Sequence, residues 1–286
     1  VTTAATGLTV ASIHRYPVKS CRGESLAHAT VERQGLAGDR RYMVVDANGL
    51  VLTAREQPRL LLATPALTRC GLRLAAPGMP ELEVATPAAA RAPVRIWRST
   101  LDAAVADDAA HAWFSDLLGV PVRLVHQDDP ASRATNPAYS LDTDRVSLAD
   151  GYPVLVATQA SLTALNDWIA EGPLADEGPL PMTRFRPNVV VAGGRPWAED
   201  GWRVVRIGAA RFRAVKGCDR CVITTTDPAD ARRGKEPIAT LARHRRWDGA
   251  TWFAMNLVPD TPGVDIAVGD QVEVLEYVDA PDGPPR

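Results

Sequence analysis

The chain is sparing with cysteine, histidine and charge of either sign in excess. Four cysteines in 286 residues, unevenly spread, are too few for a disulfide framework, so a reducing compartment, the cytoplasm, is the expected setting. No four-cysteine run of the iron–sulfur kind occurs. A structural zinc site wants four ligands, usually as two close pairs, whereas Cys21 and Cys70 stand far apart and the five histidines form no paired spacing. Cys21 and Cys70 therefore read as packing residues. No apolar run approaches the roughly 20 residues that a helix needs to cross a bilayer, and the first residues show no basic stretch leading into an apolar one. The expectation is a soluble protein with no membrane partner. With 32 Lys+Arg against 34 Asp+Glu the net charge is -2, which gives no sign of a protein that coats nucleic acid. Any anion site must be local.

What is present is a long series of short, turn-bounded, β-branched segments. Residues 8–18 and 25–32 alternate as strands around a Ser-Cys-Arg-Gly break. Residues 41–46 and 50–54 flank Asn48-Gly49, the pair that best tolerates the positive φ of a tight hairpin turn. Residues 60–67, 72–75, 82–85 and 94–97 continue the strands. A helix is expected over 107–118, where Ala109, Ala112, Trp113, Leu117 and Leu118 recur at helical spacing before Gly119 and Pro121; we place the seam between two domains there. After a strand at 122–126, the polar stretch 128–143 reads as a loop. Residues 154–157 form a buried strand, and Thr158 caps a helix running to about 171. Strands follow at 188–192, 204–207, 212–215, 222–226, 252–258 and 271–277, interrupted by a helix at 237–244. Many short strands with few helices favour a mainly β (α+β) chain built as barrels or sandwiches, divided at 1–120 and 121–286.

Chemistry concentrates in Val215-Lys-Gly-Cys218-Asp219-Arg220-Cys221-Val-Ile-Thr-Thr-Thr-Asp227-Pro228. Basic neighbours at Lys216 and Arg220 would hold a nearby thiol as thiolate, the form that attacks electrophiles and binds soft metals. The β-branched run 222–226 would mount Cys221 where a loop enters a strand. Two other readings stand beside this one. A Cys-x-x-Cys redox pair normally opens a helix, and a strand pattern follows here; two small apolar side chains packed near a strand would need no chemistry at all.

The stretch resembles the signature of MOSC-domain proteins, the molybdenum-cofactor family that includes the mitochondrial amidoxime reducing component. Three further blocks resemble it in order: Tyr16-Pro-Val-Lys19-Ser20-Cys21, then Gly38-Asp39-Arg40-Arg41-Tyr42 with Thr53-Ala54-Arg55-Glu56-Gln57-Pro58-Arg59-Leu60, then Thr183-Arg184-Phe185-Arg186-Pro187-Asn188. The resemblance implies a small N-terminal β domain followed by a MOSC β-barrel, with molybdenum–molybdopterin in the cleft between them and Cys221 as the protein ligand to the metal. It further implies that Lys19, Ser20, Arg40, Arg186, Asn188, Asp219 and Arg220 hold the pterin and its phosphate. Phosphate recognition needs such fixed guanidinium, ammonium and hydroxyl donors. Asp150-Gly151-Tyr152-Pro153 resembles the loop beside the metal, which makes Asp150 a candidate catalytic acid; Tyr152, Thr158 and Asn256 are further candidates for lining the cofactor site. The implied reaction is reduction of N-hydroxylated small molecules, namely hydroxylamines, amidoximes and N-hydroxy bases. Electrons would come from a separate donor, whether ferredoxin, flavodoxin, a cytochrome b5-like protein or a flavoprotein reductase. Two alternatives remain: a sulfur carrier with a persulfide on Cys221, and a non-catalytic carrier of the cofactor.

Overall fold

A computed structural model describes residues 7–280 and 283–286. Its largest element is a nine-stranded sheet. From one edge the order is Val272–Tyr277, Trp202–Ile207, Ala210–Asp219, Ala250–Pro259, Val154–Thr158, Val189–Ala192, Thr9–Arg15 and Glu24–Leu26, with Arg246–Trp247 added beside Ala250–Pro259. Neighbours are antiparallel except Val154–Thr158 with Val189–Ala192. That parallel pair needs a crossover, and helix α2 (Gln159–Ala170) supplies it. Both faces of the central strands are covered, so Val154–Thr158 is buried along its whole length. On one face Ile13, Val156, Val191, Trp202, Phe212 and Leu257 pack together; on the other lie Leu155, Leu165, Ile169, Phe185 and Phe253. Each fully buried side chain of this size contributes about 1.5–3 kcal/mol.

A four-stranded sheet (Tyr42–Val45, Arg123–His126, Ser99–Val105, Arg91–Ile96) and a three-stranded one (Ala66–Thr68, Gly71–Leu74, Leu82–Ala85) make up most of the rest. Helix α1 (Asp108–Leu118) starts on Asp107, whose carboxylate accepts from the Ala110 N–H at 2.9 Å, and stops at Gly119 with φ +72°. Its buried face, Ala110, Trp113, Phe114, Leu117 and Leu118, joins the core that holds Val18, Tyr42, Leu60, Leu72 and Leu124. The helix thus covers the small sheets. Hydrogen bonding also crosses residue 120: Thr9–Arg15 belongs to the large sheet, Arg123–His126 pairs with Tyr42–Val45, and Val264–Ala267 pairs with His28–Glu32.

Three expectations need correction. Residues 58–62 form a 3-10 helix opened by Pro58, because Leu60 and Leu61 reach the core from a turn, and the strand there is only Ala66–Thr68. Ser99–Val105 is a strand without an expected counterpart. Cys70 is exposed, unlike Cys21, which is fully buried in the small-sheet core.

Candidate functional site

Segments remote in sequence meet around one cavity of about 580 Å³. Its lining carries Lys19, Arg40, Arg55, Arg184, Arg186, Lys216 and Arg220 against only Asp150 and Asp219. In a chain of net charge -2, that local surplus marks an anion site.

One wall, formed by Arg40 and Arg186, rests on Tyr16, which follows strand Thr9–Arg15. Its N–H donates to Asp39 (2.9 Å) and its hydroxyl to the Pro187 carbonyl (3.1 Å), so the ring is fixed at both ends. Two guanidiniums lie over that ring, Arg40 at 4.3 Å and Arg186 at 4.4 Å from its centroid. Arg40 donates to Asp39 (2.6 Å), to the Asn188 side-chain oxygen (2.9 Å) and to the Arg186 carbonyl (3.1 Å). Arg186 donates to the Cys21 carbonyl at 2.6 Å. Among the described residues no carboxylate forms an ion pair with Arg186 or Arg220. Burial, then the like charge of Arg40, lowers the Arg186 pKa, whereas for Arg40 burial is outweighed by Asp39 and its pKa rises. Asn188 is fully engaged in this scaffold: its oxygen also accepts from the Leu155 N–H (3.1 Å) and its NH2 donates to the His14 carbonyl (3.2 Å). It locks the wall and orients Arg40.

A second wall is the loop ahead of strand Val154–Thr158. Buried Arg133 donates to the carbonyls of Ser147 (2.8 Å), Ala149 and Asp150 (3.0 Å). Gly35, at φ +134°, lets the loop close against it, since a Cβ there would stand 2.7 Å from the Pro153 carbonyl oxygen. Asp150 then receives Lys19 Nζ at 2.5 Å and Arg55 Nη2 at 3.2 Å. Burial alone would raise its carboxyl, but Lys19 and Arg55 hold it well below the usual carboxylate range. Lys19 responds in the opposite sense: burial draws its ammonium down to about 8, even with Asp150 supporting the charge. Lys19 and Arg55 thus favour the ionised form of Asp150. Lys19 is the group that can give up a proton there.

The cysteine motif forms the third wall. Strand Ala210–Asp219 ends at the pairing of Asp219 with Trp252, and Cys221 caps a 3-10 helix, Val222–Thr225. The expected strand at 222–226 is absent because Thr224 and Thr225 turn their hydroxyls onto the carbonyls of Cys221 and Val222, both at 2.9 Å. Arg220 donates to the Cys218 sulfur (2.7 Å) and the Phe185 carbonyl (2.7 Å), while its buried Nε has no partner. Burial nevertheless raises the Cys218 pKa over the pull of Arg220, so the expected thiolate is not favoured at Cys218. Beside Cys221 stands Arg55. Burial draws that guanidinium down, yet Asp150 and then Cys221 raise it by more.

Of the residues singled out from sequence, Lys19, Ser20, Arg40, Asp150, Tyr152, Arg186, Asn188, Asp219, Arg220, Cys221 and Asn256 all line this cavity. Tyr152 is half-buried, its hydroxyl pushed up to about 12 by burial and its neighbours Tyr139 and Asp219, and Asn256 donates to the Gly217 carbonyl at 3.1 Å. Thr158 does not belong with them. It is 1% exposed, caps α2 through the Ser161 N–H, and donates to Glu199 behind the sheet. Its capping role leaves no hydroxyl for the cavity. Sequence reasoning missed Tyr16, Arg55, Trp97 and Arg133. Tyr16 and Arg55 sat inside blocks already singled out; Trp97 and Arg133 carry no local signal. Ser20, Arg40, Trp97 and Arg186 are four of the eight non-glycine residues with positive φ among the described residues, a concentration of backbone strain typical of working sites.

Residues 7–121 match the family described as the MOSC N-terminal beta barrel domain, and residues 143–273 the MOSC domain. The chain belongs to the MOSC family. It is 32% identical to mitochondrial amidoxime-reducing component 1 of Homo sapiens, over 93% of this chain and 83% of that protein. It is 31% identical to the human mitochondrial amidoxime reducing component 2, over 84% and 73% respectively. A molybdenum cofactor sulfurase of Oryza sativa subsp. japonica shares 28% identity over 86% of this chain, which spans 32% of that longer protein.

The cavity chemistry fits a molybdopterin. Arg186 and Arg220 pair with no carboxylate among the described residues, the buried Arg220 Nε has no partner, and Cys218 and Cys221 both line the cavity.

Proposed function

We propose that the protein is a molybdenum-cofactor-dependent reductase of N-hydroxylated compounds that takes its electrons from a separate protein. The observation that carries this reading is that Cys221, with Cys218 beside it, lines a cavity whose lining also carries a pair of guanidiniums stacked on Tyr16. Arg40, Arg186 and Arg220 would hold the pterin phosphate, with Lys19 and Ser20 completing the grip, and Cys221 would ligate the metal. When bound, the cofactor supplies the two-electron chemistry at molybdenum.

The chain's own residues manage charge and protons. Cleaving an N–OH bond to an N–H and water consumes two electrons and two protons. Lys19, with its ammonium near 8, is matched to deliver a proton near neutrality, and Asp150 keeps it aimed into the cavity. Arg55 touches both Asp150 and the surroundings of Cys221, so it couples the proton-bearing side of the site to the thiol side. Tyr152 and Trp97 line the same cavity and would limit water around the reacting group.

Cys218→Ser and Cys221→Ser separate the possibilities. Cys218 is spent on Arg220, so its replacement should keep molybdenum and most turnover with a chemical reductant and benzamidoxime. Cys221→Ser exchanges a soft ligand for a barely ionised hydroxyl and should lose both. An active Cys221→Ser protein would end the proposal, and cyanide-releasable sulfur on Cys221 without molybdenum would replace it with a sulfur carrier.

A further inference from the structure

Trp97 is the feature that packing leaves unexplained. It occupies the turn of the hairpin between Arg91–Ile96 and Ser99–Val105, where Ile96 pairs with Ser99, and its φ is +52°. Glycine or asparagine suits that backbone; a bulky indole is strained there. The ring gains little burial in return, remaining 41% exposed. Instead it is held over the cavity mouth by two cations, Arg55 at 4.8 Å and Lys19 at 5.5 Å from the ring centroid. Those are the side chains that grip Asp150, so the indole takes its orientation from the ion network beside Cys221. Tyr152 lines the same cavity, so a second aromatic ring borders the space that Trp97 overlooks.

We propose that Trp97 is a specificity-determining residue, a stacking platform that selects planar, conjugated N-hydroxylated substrates over small aliphatic ones. The inference rests on the reductase reading and deepens it. An amidoxime or aryl hydroxylamine presents a π-face to the indole while its N–OH group points inward toward Lys19 and Cys221; hydroxylamine itself presents no face. Strain in the turn is what places the ring where solvent, and a substrate, can reach it. Arg55 and Lys19 restrict the indole beforehand, so little side-chain freedom remains to be lost on binding.

The test compares wild type, Trp97→Phe and Trp97→Leu, each purified with its molybdenum content measured. Turnover is driven by a chemical reductant with benzamidoxime and with hydroxylamine. The ratio of the two kcat/KM values should fall about five- to tenfold in Trp97→Leu, the scale of one aromatic stacking contact, and recover most of the way in Trp97→Phe. An unchanged ratio in Trp97→Leu overturns the proposal, whether both activities drop together or neither moves. Calorimetric binding of benzamidine, the planar product, gives a readout independent of turnover. Its Kd should rise by a similar factor in Trp97→Leu, and an unchanged Kd overturns the platform. If wild type reduces neither substrate while benzamidine binding still weakens in Trp97→Leu, the reductase reading fails and the stacking platform stands.

Discussion

Replacing Glu199 by Gln should make this protein's stability less sensitive to pH, and the effect can be worked from the structure. Glu199 is fully buried in the 3-10 helix Ala198–Gly201. Its carboxylate accepts from the Thr158 hydroxyl (3.1 and 3.2 Å) and the Ser161 hydroxyl (2.9 Å). Burial raises its pKa from 4.5 to about 7, the Ser161 hydroxyl pulling the other way without prevailing. The folded state therefore holds the proton more tightly than the unfolded chain. Its stabilising contribution is complete below the unfolded pKa of 4.5 and is lost as pH rises through about 7. At ~1.4 kcal/mol per pH unit, the part of that loss lying between pH 5 and pH 8 is roughly 2–3 kcal/mol. Glu199→Gln cannot titrate. Urea unfolding of both proteins at pH 5 and pH 8 should show the variant gaining roughly 2–3 kcal/mol relative to wild type across that interval. Parallel profiles, within about 0.5 kcal/mol, would refute the assignment of a buried carboxyl that titrates near neutrality. The same variant should match wild type in molybdenum content at neutral pH, because the Thr158–Glu199 contact lies behind the sheet and not at the cavity.

Arg40→Ala and Arg186→Ala should each weaken cofactor retention by about 1.5–3 kcal/mol, the scale of a charged hydrogen bond, while unfolding remains cooperative; equal molybdenum content in wild type and both variants would remove the Tyr16 guanidinium pair from the site. Lys19, its ammonium near 8, gives the anion site a pH dependence: pyrophosphate binding to cofactor-free protein should weaken as pH rises through about 8, because only the protonated form attracts the anion. Lys19→Gln should bind more weakly and show no inflection near 8, and a retained inflection would place the titrating group elsewhere.

Local signals were enough for several parts of this molecule. Asn48-Gly49 makes the expected turn, with Asp46 accepting from the Asn48 N–H at 2.9 Å and Gly49 at φ +76°. Helix α2 begins at the expected cap, Thr158, and α1 covers the expected stretch, capped by Asp107. These features depend on contacts a few residues long, which is why composition and spacing reveal them. Residues 222–226 show the limit of such reasoning. Their β-branched character suits a strand, but a strand needs a neighbour, and the ladder with Ala250–Pro259 has ended at Asp219; the threonine hydroxyls then close a helical turn.

By itself the sequence determined a mainly β chain, the positions of its motif blocks, and the family to which it belongs. Tertiary structure alone decided the company each residue keeps. Thr158 and Asp150 both border Val154–Thr158, yet one faces Glu199 in a dry interior while the other meets Lys19 and Arg55, 131 and 95 residues away in the chain. Tyr16 becomes the floor under two arginines only because Thr9–Arg15 inserts into the large sheet beside Val189–Ala192. Charges repel, pair or lose their protons according to distances through space and to burial. A linear spacing encodes neither, so the Asp150 held ionised by Lys19 and Arg55, the Lys19 ammonium drawn down to about 8 and the strained Trp97 exist only in the folded chain.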